Sequence, residues 1–282
     1  MSWLEVIVAA VVQGLTEFIP VSSNAHLKIV PALLGWQDPG AAFTAVVQIG
    51  TLAAVVSYFW RDIIRIFVAM LGGLRDGEPL ARHDAKLGWM IALGTLPIIV
   101  VGVLLRHQIK TALRSLYVMS AALAGVALLL ALAEWWMRRR AANRVHGRNV
   151  NEADWKDAIV VGCAQCAALV PGTSRSGATI LGGLCSGLSR EAAARFSFLL
   201  SIPAVFAAGV FELVEAREQL LSSSIGPAKL AVATVLAGIV GYATIPWLLG
   251  YLRTRTMGVF IVYRLLLAAL LLWLLYSGRL VP

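Results

Sequence analysis

Charge is scarce in this chain. Only 14% of its 282 residues are Asp, Glu, Lys or Arg, against roughly 25% in a soluble domain. Two soluble domains, which the length would permit, could not cover their surfaces with so little charge. Cysteine is scarce as well, with three in all. Cys163 and Cys166 form a C-x-x-C, but no second pair and no nearby His accompany them. That absence argues for a structural role over zinc or redox chemistry. A basic n-region is missing too. The opening MSWLEVIVAA has Glu5 where one would stand, so a cleaved signal peptide is not expected.

Apolar residues are abundant instead, at 59% of the chain with a mean hydropathy of +0.80. Nine Trp and 25 Gly fit a membrane protein, where Trp anchors interfaces and Gly is tolerated in helices. One integral membrane domain over 1–282 is expected, with the bilayer as its surroundings. The net charge of +9 is read as topogenic. Its basic residues are scattered between apolar spans, so no nucleic-acid partner is expected.

A spanning helix needs about 20 mostly apolar residues. Segments near 41–60, 88–106, 114–136, 192–214, 228–250 and 256–276 qualify. Two further apolar segments are broken. Residues 5–21 are interrupted by Pro20 and continue as a short helix to about 36. Residues 158–170 are interrupted by Pro171-Gly172 and continue as a short helix to about 187. Both read as hairpins that enter the membrane and turn back, a backbone tolerated only where protein or a wet cavity satisfies it.

The two halves are related. A shift of 153 residues places Ser23 on Ser176, His26 on Thr179 and FTAVVQIGTLAAVV (43–56) on FSFLLSIPAVFAAG (196–209), while Gln13 meets Gln165 with a one-residue slip. Repeats of about 1–140 and 150–282 follow. Three full spans separate the broken segments, an odd number, so the second repeat is inverted. The expected fold is an all-α polytopic helical bundle of two inverted-topology repeats, with about six full spans plus two re-entrant helical hairpins. With the N-terminus outside, the inside loops hold the Lys and Arg residues from Arg61 to Lys86 and from Arg138 to Lys156, together with Arg190, Arg195, Arg253 and Arg255. Lys28, Arg106, Lys110, Arg114, Arg217, Lys229 and Arg279 remain outside. The inside set is roughly twice the outside one, which favours this orientation.

Polar residues cluster where the helices break. In QGLTEFIPVSSNAHL (13–27), Gln13 and Glu17 share a helical face, and Ser22 and Ser23 stand four and three residues before His26. A Ser beside a His suits nucleophilic chemistry, and a carboxylate among oxygens suits Mg²⁺ or Ca²⁺. Such groups are expensive at membrane depth, which marks them as functional. In PGTSRSGAT (171–179), Pro171-Gly172 ends one helix, Ser174 and Ser176 offer hydroxyls, and Arg175 offers a planar fork for phosphate. The helix that follows presents its free N–H groups to an anion. A site built from both tips fits a phosphate or diphosphate attached to an apolar remainder.

These two motifs resemble those of the bacterial undecaprenyl-diphosphate phosphatase family, also called the bacitracin-resistance family. Gln13, Glu17, Pro20 to Ser23 and His26 match its first pattern; Pro171, Gly172, Ser174 to Ala178 and Thr179 match its second; Tyr263-Arg264 also fits. The resemblance implies hydrolysis of undecaprenyl diphosphate to the monophosphate carrier of cell-wall synthesis, in the bacterial plasma membrane. It also implies an extracytoplasmic active site and a divalent cation. Two departures are visible: Asn24-Ala25 stands where many members have Thr-Gly, and Gln13 replaces a Glu, leaving one fewer charged metal ligand. The expected roles put Arg175, Ser174, Ser176 and Thr179 on the diphosphate, with Ser22 beside them. Glu17 would bind metal with Gln13 supporting it, and Ser23 would attack with His26 as base or orienter. His26 as nucleophile and metal-activated water stay open. The expected partners are a long-chain prenyl diphosphate lipid, the bilayer and, as an open alternative, a second copy in a homodimer. A lipid-phosphate transporter or flippase is the rival reading, since it would use the same polar set without cleavage.

Overall fold

The computed structural model describes residues 1–110, 113, 115–143, 146–221 and 225–280, without the side chains of 41, 110 and 212–221. Arg114 and Arg144, placed in loops above, lie outside the described residues, and nothing is said of the Arg217 side chain. Every named element among the described residues is helical. In chain order these are α1 (Trp3–Phe18), α2 (Ser23–Leu34), α3 (Gly40–Tyr58), α4 (Trp60–Arg75), α5 (His83–Leu104), α6 (Arg106–Lys110), α7 (Leu116–Ala142), α8 (Trp155–Cys166), α9 (Arg175–Ser186), α10 (Arg190–Leu221), α11 (Pro227–Thr254) and α12 (Gly258–Tyr276).

Helices α5, α7, α11 and α12, and α10 as far as Phe211, are each long and apolar enough to cross a membrane. A sixth span is reached only by joining α3 to α4, which are bent 71° apart. Helix α4 falls where the sequence reads as loop, because Arg61, Asp62 and Arg65 interrupt its apolar pattern. It is an amphipathic helix, burying Ile66, Ala69 and Gly73 while Phe67, Val68 and Leu71 stay exposed.

The two broken segments form alike. Helix α1 opens with a capping box between Ser2 and Glu5, and α8 with one between Asp154 and Asp157. Both end at a break: Pro20 has no N–H to donate, and Gly172 takes a positive φ of 93°. Helices α2 and α9 then run 12 residues each and stop at left-handed Gly35 and Gly187. Starts, breaks and stops all align at an offset of 152: Trp3 with Trp155, Ser22 with Ser174, and Gly35 with Gly187. This register replaces 153 through the hairpins. It pairs Ser23 with Arg175, and it brings Gln13 onto Gln165 with no slip.

Packing crosses between the halves. Helix α1 lies against α11 and α8 against α5, while α3 contacts both α10 and α11. Small residues permit this closeness. A Cβ added at Gly162 would meet the Gly94 carbonyl at 2.5 Å, and one at Gly14 would meet the Ala237 carbonyl at 2.7 Å. Phe18 and Phe198 meet edge to face at 5.4 Å, in a core that also holds Phe59 and Phe196. Outside, Leu132, Val235 and Leu266 are more than half exposed. A helical bundle with an apolar exterior as well as an apolar core, and with many of its buried polar residues gathered at the breaks, is arranged for lipid.

Candidate active site

The polar residues of the two breaks converge. Helical spacing sets Gln13 one turn before Glu17, and Gln13 Nε2 donates to Glu17 Oε2 at 3.0 Å. The chain reverses at Pro20 and returns Ser23, whose hydroxyl donates to the same oxygen at 2.8 Å. From the other half, Arg175 Nη2 donates to Glu17 Oε1 at 3.0 Å. Residues 158 apart in sequence thus form one ion pair, with side-chain exposures of 13% for Arg175 and 6% for Glu17. Burying such a pair costs several kcal/mol in desolvation, so stability alone is a poor reason for its presence. Arg175 Nη1 is buried with no partner. A desolvated guanidinium N–H of this kind is a donor short of an acceptor.

Ser22 and Ser174, at matching positions before α2 and α9, are the only non-glycine residues with positive φ among the described residues, at 74° and 69°. Backbone held in this region costs of order 1–3 kcal/mol and clusters at functional sites. The Ser174 hydroxyl caps α9 at the Gly177 N–H, 3.2 Å away, and lies 3.1 Å from Ser176 Oγ. Ser22 makes no such cap.

His26 is placed otherwise than a Ser–His pair requires. Its Nδ1 lies 2.7 Å from the Ser22 carbonyl oxygen. A carbonyl only accepts, so Nδ1 carries a proton. Nε2 lies 2.6 Å from the Tyr263 hydroxyl, with the two rings parallel at 5.5 Å. Both ring nitrogens are therefore engaged, and the Ser23 hydroxyl is directed to Glu17. Two residues assigned to the diphosphate are also turned inward. Thr179 is fully buried and bonds the Arg175 carbonyl at 2.8 Å and the Ser197 hydroxyl. Ser176, equally buried, donates to the Ile19 carbonyl at 3.2 Å, joining the second hairpin to the first.

Arg264 had no role assigned from the sequence. It is fully buried and donates to the carbonyls of Pro20 (3.1 Å), Gly172 (3.1 Å), Thr173 (3.0 Å), Leu123 (3.2 Å) and Ala122 (3.3 Å). One guanidinium thus satisfies carbonyls freed at both breaks. The signal in the sequence was an arginine inside an apolar span, where a cation must find acceptors.

The family described as bacitracin resistance protein BacA matches residues 6–270. The chain belongs to this family. An undecaprenyl-diphosphatase of Chlorobium phaeobacteroides (strain BS1) is 55% identical over 280 residues, covering 99% of both chains. That of Chlorobaculum tepidum is 53% identical over 282 residues, covering all of both. The BacA match takes in both broken hairpins and the Tyr263-Arg264 pair, so every residue of the cluster above falls within it.

Proposed function

We infer that this chain is an undecaprenyl-diphosphatase, releasing inorganic phosphate from undecaprenyl diphosphate and returning undecaprenyl phosphate for peptidoglycan synthesis. The observation that carries this reading is the cluster joining Ser23, Glu17 and Arg175 across the two hairpins, in a chain more than half identical to full-length proteins of that name.

Ser23 is the nucleophile in this reading. Its hydroxyl already donates to Glu17 Oε2, so Glu17 is placed to take the proton as Oγ forms a bond to the terminal phosphorus. The bond from that phosphorus to the bridging oxygen breaks, and the lipid leaves as the monophosphate. Water then hydrolyses the phosphoserine. Arg175 Nη1 provides the donor for charge on the transferring group, together with the N-terminal turn of α9. His26 orients the first hairpin through Ser22 and Tyr263, its Nε2 being occupied. Ser174, Ser176 and Thr179 shape the phosphate side of the site by holding α9.

A divalent cation fits this donor set only with help from substrate. No cluster of three His, Cys, Asp or Glu side chains exists among the described residues, and both Glu17 oxygens are engaged. Gln13 Oε1, however, is buried and without a partner. One carboxylate and one amide oxygen suit an ion such as Mg²⁺, or Ca²⁺, that also takes water and phosphate oxygens. Glu17 and Gln13 would hold it, and it would supply further neutralisation of phosphate charge. The lipid chain lies among the spans, with the site opening to the extracytoplasmic face of the bacterial plasma membrane.

Phosphate release from undecaprenyl diphosphate by purified protein tests the assignment. Ser23→Ala, Glu17→Gln and Arg175→Ala are each expected to lose at least about 10²–10³-fold in kcat while remaining folded. Label from the terminal phosphate is expected on Ser23 after acid trapping. Tight binding without release by wild-type protein would instead establish a lipid-phosphate transporter.

A further inference from the structure

Far along α3 from the hairpin turns, the bend into α4 leaves an open groove of about 580 Å³. Its lining is two-sided. Trp60, Ile64 and Val68, spaced one turn apart on α4, form an apolar wall and are each at least half exposed. Arg61, Arg65 and Arg82 form a basic wall, with Asp84 the one carboxylate among the lining residues. Arg65 is tied to Asp62 at 3.1 Å and Asp84 at 3.0 Å, and Arg82 to Asp76 at 2.9 Å. Arg61 stands apart. Its guanidinium lies over the Trp60 ring, 5.3 Å from the centroid, and no carboxylate partners it among the described residues.

We propose that this groove binds the phosphodiester headgroup of an anionic phospholipid of the cytoplasmic leaflet. The wall chemistry selects the occupant. Arg61, with no carboxylate partner among the described residues, is the cation that favours a phosphate here, with Arg65 and Arg82 beside it already paired to Asp62, Asp84 and Asp76. The apolar wall continues along exposed Phe67, Leu71 and Leu74 of α4, a path for acyl chains that a soluble anion would not use. The amphipathic α4, strongly bent from a membrane helix, lies along the interface with its arginines at headgroup level. The excess of basic loop residues assigns this end to the cytoplasmic side, where anionic headgroups attract such clusters. The groove's residues are separate from those of the phosphatase site, and the inference does not depend on that reading.

Native mass spectrometry of protein exchanged into mixed phosphatidylcholine and phosphatidylglycerol micelles tests it. Wild-type protein is expected to retain phosphatidylglycerol in preference to phosphatidylcholine. Arg61→Gln/Arg82→Gln should retain roughly 25-fold less, about fivefold per arginine. Arg61→Lys/Arg82→Lys should keep most of the retention. Val68→Glu, which leaves the arginines in place, should abolish it. Phosphate release is expected to be unchanged throughout. Equal retention by wild type and the Gln variant would overturn the proposal. So would displacement of the lipid by an equal concentration of glycerol phosphate, since the groove would then be a site for free anions. Retention of both lipids without preference would also count against it.

Discussion

A single carbonyl decides what His26 can do. Because the Ser22 oxygen fixes a proton on Nδ1, the neutral ring offers only a lone pair at Nε2, and the Tyr263 hydroxyl is placed to donate to it. An imidazole so engaged at both nitrogens holds position better than it moves protons, which leaves the Ser23 proton to Glu17. Removing the phenol hydroxyl probes this. Tyr263→Phe is expected to lower kcat by about tenfold, the worth of one good buried hydrogen bond, and to leave KM within about twofold. A steady-state titration with undecaprenyl diphosphate separates the two constants. A raised KM with kcat intact would make Tyr263 a substrate contact. At this scale the sequence was readable where partners are local. Gln13 and Glu17 announce themselves by four-residue spacing, whereas Tyr263 stands 237 residues from His26 and only folding brings them together.

Among elements, the breaks matter more than the spans. Pro20 and Pro171-Gly172 made both hairpins legible, since a helix that loses its ladder at membrane depth must find other partners. What supplies those partners was not legible. Arg264 on α12 donates to Pro20 on one break and to Gly172 and Thr173 on the other. It therefore fixes the separation of Ser23 from Arg175 without touching either. Arg264→Met is expected to cost at least about 3 kcal/mol, because several buried carbonyls lose their donor at once. Thermal unfolding in detergent reads that loss, and phosphate release should fall with it. Unchanged stability with full activity would show that water satisfies the turns. Helix α4 was missed for a related reason. Its arginines look like a loop to a hydropathy window, yet Ile66, Ala69 and Gly73 give it a stripe to pack on α5.

For the whole molecule, the arrangement of cations over aromatic rings marks two interfaces. Arg139 lies 4.0 Å over Trp135 and Arg140 4.6 Å over Trp136 near the end of α7. Lys229 lies 5.8 Å from the Trp3 ring, and Arg279 lies 5.1 Å from that of Trp273. Amphipathic pairs of this kind belong at the water boundary. We propose that the matched hairpins belong to two repeats of opposite orientation, and topology tests this without reference to activity. Between Glu78, in the turn after α4, and Tyr276, at the end of α12, lie the five helices that qualify alone as spans. Five is odd, and a re-entrant α8–α9 returns to its own side, so the two positions must lie on opposite faces whatever the α3–α4 bend does. In a chain freed of Cys163, Cys166 and Cys185, Tyr276→Cys is expected to react with a membrane-impermeant thiol reagent on intact cells. Glu78→Cys should react only after permeabilisation. Reaction of both from one side would mean that α8–α9 crosses the bilayer. The second hairpin would then be a span and not a re-entrant loop, and α1–α2 and α8–α9 could not be inverted copies of one unit.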